Sequence, residues 1–323
     1  MELVDTSRLS SWLDDEGLEA GEPVSIKELA GGTSNAMFIV QRGRSTWVLR
    51  RPRQVMMTRA NDGMRREFRI LTALDETSVP HPRVIALCED DQVLGCTFYL
   101  MEQVDGISPI SLPRMLDNEV QRREIGVAII DALARIHEVD WRTVGLENLG
   151  FPESFHHRQV NRWSRQLASY ESRALPGIAP VMQWLEANRP ETIEPTIMHG
   201  DYHPMNILVA RDLPGRVLAV LDWETATIGD PLLDLAGFRE RWEGAARIGW
   251  PTWSDLVEHY QSVREMQIGD LLYYQVLYNF RLAVLQEGIF QRSLSDSTQP
   301  DQNEAGERAV ANVARATDLL SGR

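Results

Sequence analysis

Lysine is almost missing from this chain: of 33 basic residues, only Lys27 is a lysine. Cysteine is nearly as scarce, with Cys88 and Cys96 the two thiols in 323 residues. Two thiols cannot staple a chain this long, so a disulfide scaffold is excluded and reduced thiols in a reducing compartment are expected. No long basic run exists, and 47 acidic residues bring the formal net charge to −14. That balance argues against a partner with a nucleic-acid backbone. No stretch approaches the ~20 apolar residues of a membrane span. The start, Met1-Glu2-Leu3-Val4-Asp5, lacks a basic region followed by an apolar run. A cytoplasmic protein without nucleic-acid or membrane partners is expected.

What is present is ordinary for a globular chain, 43% hydrophobic and 25% charged. The length suggests two domains, or one domain with two lobes. Residues 5–20 read as an amphipathic helix with Leu9, Trp12 and Leu13 on one face. Residues 24–29 and 36–41 read as strands around Gly31-Gly32-Thr33-Ser34-Asn35, and Trp47–Arg50 as a third strand stopped by Pro52. A helix over 61–75 follows, then strands Val84–Cys88 and Val93–Met101 around the turn Glu89–Gln92, with Cys88 and Cys96 across that hairpin. Beyond residue 102 the pattern turns helical, with candidates at 119–139, 158–173, 179–188, 231–243, 253–265, 269–288 and 305–320 and a polar loop near 291–306. The expected architecture is α+β and two-lobed, with a small β-rich lobe over 1–102 and a larger, mostly helical lobe over 103–323.

The chemistry concentrates in His199-Gly200-Asp201-Tyr202-His203-Pro204-Met205-Asn206, where a carboxylate precedes a carboxamide by five residues and an apolar strand follows. A second strand, Val217–Leu221, ends in Asp222-Trp223-Glu224, and Asp212, Pro214 and Gly215 suggest a hairpin between the two. A midpoint near residue 214 places Asn206 opposite Asp222 at the open end, two oxygen ligands suited to a hard cation such as Mg²⁺. Asp201 lies just outside them. Phosphoryl transfer to an alcohol uses this set: one carboxylate for the hydroxyl proton, an amide oxygen and a second carboxylate for the metal. Each residue has a purely structural alternative as a turn former or strand-end cap.

In these residues the chain resembles the aminoglycoside phosphotransferase and choline kinase superfamily, relatives of the protein kinases. His-Gly-Asp stands where protein kinases have His-Arg-Asp, and Asp-Trp-Glu where they have Asp-Phe-Gly. The resemblance spans roughly residues 24–288. It is closest to bacterial proteins and to the kinase-like domain attached to some acyl-CoA dehydrogenases, through Gly31–Asn35, Val48–Pro52 and Asp222-Trp223-Glu224 running on to Gly229–Leu235.

The resemblance implies ATP or GTP as donor, Mg²⁺ as cofactor, a small-molecule hydroxyl as acceptor, and a monomer or homodimer. It implies a protein-kinase-like fold, with Asp201 as catalytic base and Asn206 and Asp222 as metal ligands. Gly31, Gly32, Thr33, Ser34 and Asn35 fit a loop over the nucleotide phosphates, with an ordinary hairpin turn as the alternative. Lys27 precedes that loop, so Arg50 falls where the phosphate-holding lysine belongs, while Arg51 points to the opposite face. Glu67 shares the buried face of its helix and is the candidate partner of Arg50; a pair with Arg66 or Arg69 is the alternative. Backbone groups of Glu102 and Val104 would meet adenine. Asp230 reads as a helix N-cap ahead of Pro231, and the resemblance also has it steady the catalytic loop. His199 and His203 read as loop supports, His137 as a core residue, and Glu224 as a contact to a second metal or only its waters. The short run from Asp222 to Asp230, with no Ala-Pro-Glu after it, disfavours a protein kinase. The acceptor stays open between aminoglycosides, hydroxyacyl thioesters and other metabolites, and a nucleotide-binding module without turnover is the remaining alternative.

Overall fold

The computed structural model describes residues 3–29, 35–53, 58–112, 117–170, 173–191, 193–212, 215–245, 249–295 and 302–322. In chain order the elements begin with α1 Thr6–Asp15, β1 Val24–Leu29, β2 Asn35–Arg42, β3 Ser45–Pro52, α2 Thr58–Leu74, β4 Val84–Cys88, α3 Asp91–Leu94 and β5 Phe98–Glu102. They continue with α4 Glu119–Glu138, α5 Phe155–Ala168, α6 Ile178–Ala187, β6 Thr196–Met198, β7 Ile207–Val209, β8 Val217–Val220 and β9 Thr227–Gly229. The last helices are α7 Pro231–Ala245, α8 Trp253–Arg264, α9 Leu272–Ser295 and α10 Asn303–Ser321. The fold is α+β, strand-rich at the N-terminal end and helical at the C-terminal end. It forms two compact units. The first holds residues 1–135, 142–146 and 204–225, and the second holds 136–141, 147–203 and 226–323.

The first unit is built on an antiparallel sheet of order β1-β2-β3-β5-β4. Side chains alternate across a strand, and β3 shows what that does here. Trp47 and Leu49 join Leu9, Trp12 and Leu13 of α1, together with Phe38, Val40, Phe98 and Leu100, in one apolar cluster. Trp12 meets Phe98 edge to face at 4.9 Å. Arg51 follows Leu49 on that side, and its guanidinium donates to the Leu3 carbonyl. Arg50 therefore faces the other way, toward α2. The strand runs on through Pro52, which pairs with Asn35 at the sheet's end, where a missing N–H costs no central ladder bond.

One expected strand shortened. Residues 91–94 form the single helical turn α3 because Asp90 accepts from Gln92 N at 2.8 Å and Gly95 ends the turn with φ 77°. β5 then begins only at Phe98, and Cys88 and Cys96 are buried free thiols.

The β7–β8 hairpin packs within the first unit. Ile107 and Val209 exchange backbone bonds, and Val220 N donates to the Pro80 carbonyl at 2.9 Å. In the second unit hydrophobic patterning missed the short antiparallel β6–β9 pair, which joins Met198, before the His199 loop, to Thr227, and Thr196 to Gly229, before α7. α9 packs against α7 and α10, and its Val276, Leu277, Phe280 and Val284 are buried. No helix among the described residues is long and apolar enough to cross a membrane.

Candidate active site

In the first unit the site centres on Arg50. Its Nε donates to Glu67 Oε2 at 2.8 Å and its Nη2 to Asp222 Oδ1 at 2.8 Å, with Glu224 Oε2 at 3.6 Å. The pairing of Arg50 with Glu67 expected from the helix face is present, and both side chains are buried. Burial alone would weaken the arginine's charge. Glu67, then Tyr99, Asp222 and Glu224, outweigh it and hold the guanidinium above its ordinary pKa. Glu67 also accepts from Trp223 N at 3.2 Å, so one carboxylate ties α2 to β3 and to the turn after β8. Arg66 adds a bond to the Glu224 carbonyl at 3.1 Å.

The hairpin register differs from the expected one. Ile207 pairs with Val220 and Leu208 with Ala219, but Val209 pairs with Val217. The turn-side pairing centres the hairpin before residue 214 and a bulge on β8 recovers one residue of that offset, which leaves Asn206 facing Leu221, whose N–H donates to the Asn206 carbonyl at 2.8 Å. Asp222 lies one position further along. Its φ of 67° is left-handed, a region that branched and acidic residues enter at a cost and that concentrates at functional sites. Mg²⁺ is held by few protein ligands plus phosphates and waters, and an Asn carbonyl with one Asp carboxylate is such a donor set. Among the described residues, no group of three or more His, Cys, Asp or Glu is arranged to hold a metal.

Gly31, Gly32, Thr33 and Ser34 lie outside the described residues. Asn35 is described, and its side chain donates to Glu224 Oε2 at 3.0 Å, a link that the sequence did not signal. Burial first, then the neighbouring Asp222, pushes the Glu224 carboxyl up to about 7, against Arg50 and Asn35. At the expected hinge, Glu102 N donates to the Arg83 carbonyl at 2.8 Å and Gly106 N to the Val104 carbonyl at 3.0 Å.

The second unit carries Asp201. The chain turns at Gly200, whose φ of 82° suits glycine. Asp234, in the first turn of α7, accepts from His199 N at 2.6 Å and from Gly200 N at 2.8 Å. Asp201 N donates to His199 Nδ1 at 3.3 Å, and His203 Nε2 stands 3.3 Å from Asp201 Oδ2. Both histidines thus support the loop, as expected. Burial would raise the Asp201 carboxyl. The hydrogen bond and charge of His203, with His199 and Arg281, outweigh burial and bring it down to about 2.

Two residues that hold this loop escaped the sequence reading. Asp234 clamps the two backbone amides, whereas Asp230, expected to steady the loop, binds Leu232 N, His156 and Tyr274. Arg281 of α9 donates to the Gly200 carbonyl at 2.7 Å. A lone arginine in the apolar run Tyr278-Asn279-Phe280-Arg281-Leu282-Ala283 was the available signal, since such a charge must find a partner. His137 is a core residue: it is buried between Tyr260 and Asp234, and burial lowers its pKa.

Known proteins share this build. Human acyl-CoA dehydrogenase family member 11 is 30% identical over 98% of the chain, which spans only 42% of that protein's length. The crystal structure of a provisional aminoglycoside phosphotransferase from Ralstonia eutropha superposes with a TM-score of 0.84 at 29% identity, covering 98% of each chain. An aminoglycoside phosphotransferase in ternary complex with ADP and hygromycin B superposes at 0.61 with 17% identity, over 95% of this chain and 97% of that one, a likeness of fold. The sequence model of the phosphotransferase enzyme family matches residues 25–264, and those residues include Arg50, Glu67, Asp201, Asn206 and Asp222, so the chain belongs to that kinase-like family.

Proposed function

We propose that this protein is an ATP-dependent phosphotransferase that moves the γ-phosphate to a hydroxyl of a small molecule. The observation that carries the reading is the relay Glu67–Arg50–Asp222, buried at Glu67 and Arg50, which couples a strand cation to a helix carboxylate and to the acid after β8. A phosphate-holding cation needs that support to stay charged and aimed.

Arg50 would hold the α- and β-phosphates, steadied by Glu67. Gly31, Gly32, Thr33, Ser34 and Asn35 would cover the phosphates with backbone N–H groups and hydroxyls. Glu102, through its carbonyl, and Val104, through its N–H, would meet the adenine edge. Asn206 and Asp222 would hold Mg²⁺, which would neutralise charge on the phosphates. Asp201 would orient the acceptor hydroxyl and take its proton. Residues 1–102 would form the nucleotide lobe and 103–323 the acceptor lobe of a cytoplasmic monomer or homodimer. GTP is the alternative donor, and the neighbour that holds ADP supports nucleotide use on this fold. A second reading, a hydroxyacyl-CoA kinase, is favoured by the identity to acyl-CoA dehydrogenase family members.

The test is ADP release in Mg-ATP against aminoglycosides, hydroxyacyl-CoAs, choline and sugars. Acceptor-dependent release is expected for one class. ADP binding without release for any class would leave a nucleotide-binding module.

Arg50 and Arg51 separate the two faces of β3. Arg50→Ala is expected to raise KM for ATP strongly and to cost about 3–5 kcal/mol of stability, because Glu67 is left buried without its cation. Arg50→Lys should restore charge but not the fork, so recovery is partial. Glu67→Ala should weaken ATP binding less. Arg51→Ala should lower the melting temperature, losing its bond to Leu3, and leave KM alone. A damaged KM in Arg51→Ala instead would place the wrong arginine at the phosphates.

A further inference from the structure

Many arginines among the described residues meet acids: Arg42 pairs with Asp14, Arg50 with Glu67, Arg122 with Asp117 and Arg315 with Glu240. One group in the second unit does not. Arg281, beside Asp201, stands with its Cζ 5.7 Å from the centroid of the Trp163 ring, and Arg162 of α5 stands 5.0 Å from the same centroid. Arg158, one turn earlier on α5, is held by the carbonyls of Phe151 and Glu153, bonds that leave its charge unneutralised. None of the three makes an ion pair with a carboxylate among the described residues.

The grouping is electrostatically unfavourable as it stands. Like charges at i and i+4 destabilise a helix, and Arg158 and Arg162 have that spacing. Partial desolvation lowers the pKa of Arg162, an exposed residue, and the nearby charges of Arg281 and Arg158 lower it further. Arg281 Nε is buried without a hydrogen-bond partner, although its Nη2 serves the Gly200 carbonyl. A fourth arginine, Arg241, whose Nε donates to Tyr278 Oη at 3.1 Å, also feels the Asp201 charge. Two guanidinium groups, those of Arg281 and Arg241, therefore act on the Asp201 carboxylate, and Arg162 stands across Trp163 from the first, in a chain of net charge −14. Planar guanidinium forks sharing an aromatic plate are a recognition surface for carboxylate or phosphate oxygens. They would repel a polycation.

We propose that Arg162 and Arg281, across Trp163 and with Arg158 at the rim, form an anion subsite for the acceptor. The molecule that offers its hydroxyl to Asp201 then also carries a carboxylate or phosphate group. This rests on the phosphotransferase reading for the role of Asp201, while the anion subsite itself can be measured by binding alone.

The experiment is calorimetric titration of the full chain, with Mg-ADP present and at two salt concentrations, using 3-hydroxybutyrate, glycerol 3-phosphate and kanamycin. At least one of the two anions is expected to bind, more weakly at high salt. Whichever binds better identifies carboxylate or phosphate as the group recognised. Arg162→Gln should weaken that anion about tenfold, the loss of one charge-assisted contact, with Arg162→Lys recovering part of it and ADP affinity unchanged. Arg281→Gln should weaken it further. Because Arg281 also braces Gly200, the exposed Arg162 carries the decision if Arg281→Gln melts early. Equal anion affinity in wild type and Arg162→Gln, binding of kanamycin in preference to both anions, or no anion binding while ADP still binds would each overturn the subsite. Anion binding that depends on Arg162 but is never followed by phosphoryl transfer would keep the subsite and remove the enzyme reading instead.

Discussion

Asp201→Asn should leave Mg-ATP binding nearly intact and cut phosphoryl transfer by about 10²–10⁴-fold, the usual weight of a positioned acid–base group. Asparagine keeps the size of the side chain and so preserves the loop braced by Asp234 and Arg281. It removes the oxygen pair that can take a proton. A carboxyl held down to about 2 is ionised throughout the neutral range and loses its charge only as pH falls through that value. The acid limb of the wild-type rate profile, measured from pH 5 to 8, should therefore belong to another group. So weak a base accepts the hydroxyl proton late, as the oxygen bonds to phosphorus, and its first contribution is to orient the hydroxyl. Near-normal turnover in Asp201→Asn would take the base role away from this residue.

Asp222→Ala should fail differently. Nucleotide affinity should lose its dependence on Mg²⁺, and turnover should disappear, because the carboxylate proposed to hold the metal is gone. Arg50 would keep Glu67 and Glu224 as partners, so the fold should survive. Titration of the variant with ATP, with and without Mg²⁺, is the measurement. An unchanged Mg²⁺ dependence would sink the role assigned to the residues that follow β8.

Much of this was legible in the sequence, for reasons that can be named. Alternation along β3 told Arg50 from Arg51, and helical spacing put Glu67 on the face where a buried acid needs a cation; both depend only on local periodicity. The Asp201 loop and the strands on either side of the β7–β8 turn were equally plain from turn chemistry. What was missed depends on information outside the local window. The pairing of Val209 with Val217 centres the hairpin before residue 214, and the bulge on β8 recovers only one of the two residues by which this displaces the Asn206 pairing; no pattern in Val217-Leu218-Ala219-Val220 announces either. The helix at 91–94 was a contest between a β-type pattern and two good caps, and the caps won. Asp234 and Arg281 act on a loop more than thirty positions away along the chain, a relation visible only once α7 and α9 are in place. Asp230 is the helix cap that its place before Pro231 indicated, and the loop brace lies one helical turn further on, at Asp234.

The left-handed backbone of Asp222 bears on how variants of this protein should be chosen. Glycine accepts that conformation freely, while aspartate, though more tolerant of it than most side chains, still enters it at some cost. A campaign that ranks variants by melting temperature alone would thus reward glycine at this position and discard the acid proposed to hold the metal. Heat resistance and chemistry pull in opposite directions at this residue, and selection for turnover is what would keep an aspartate there.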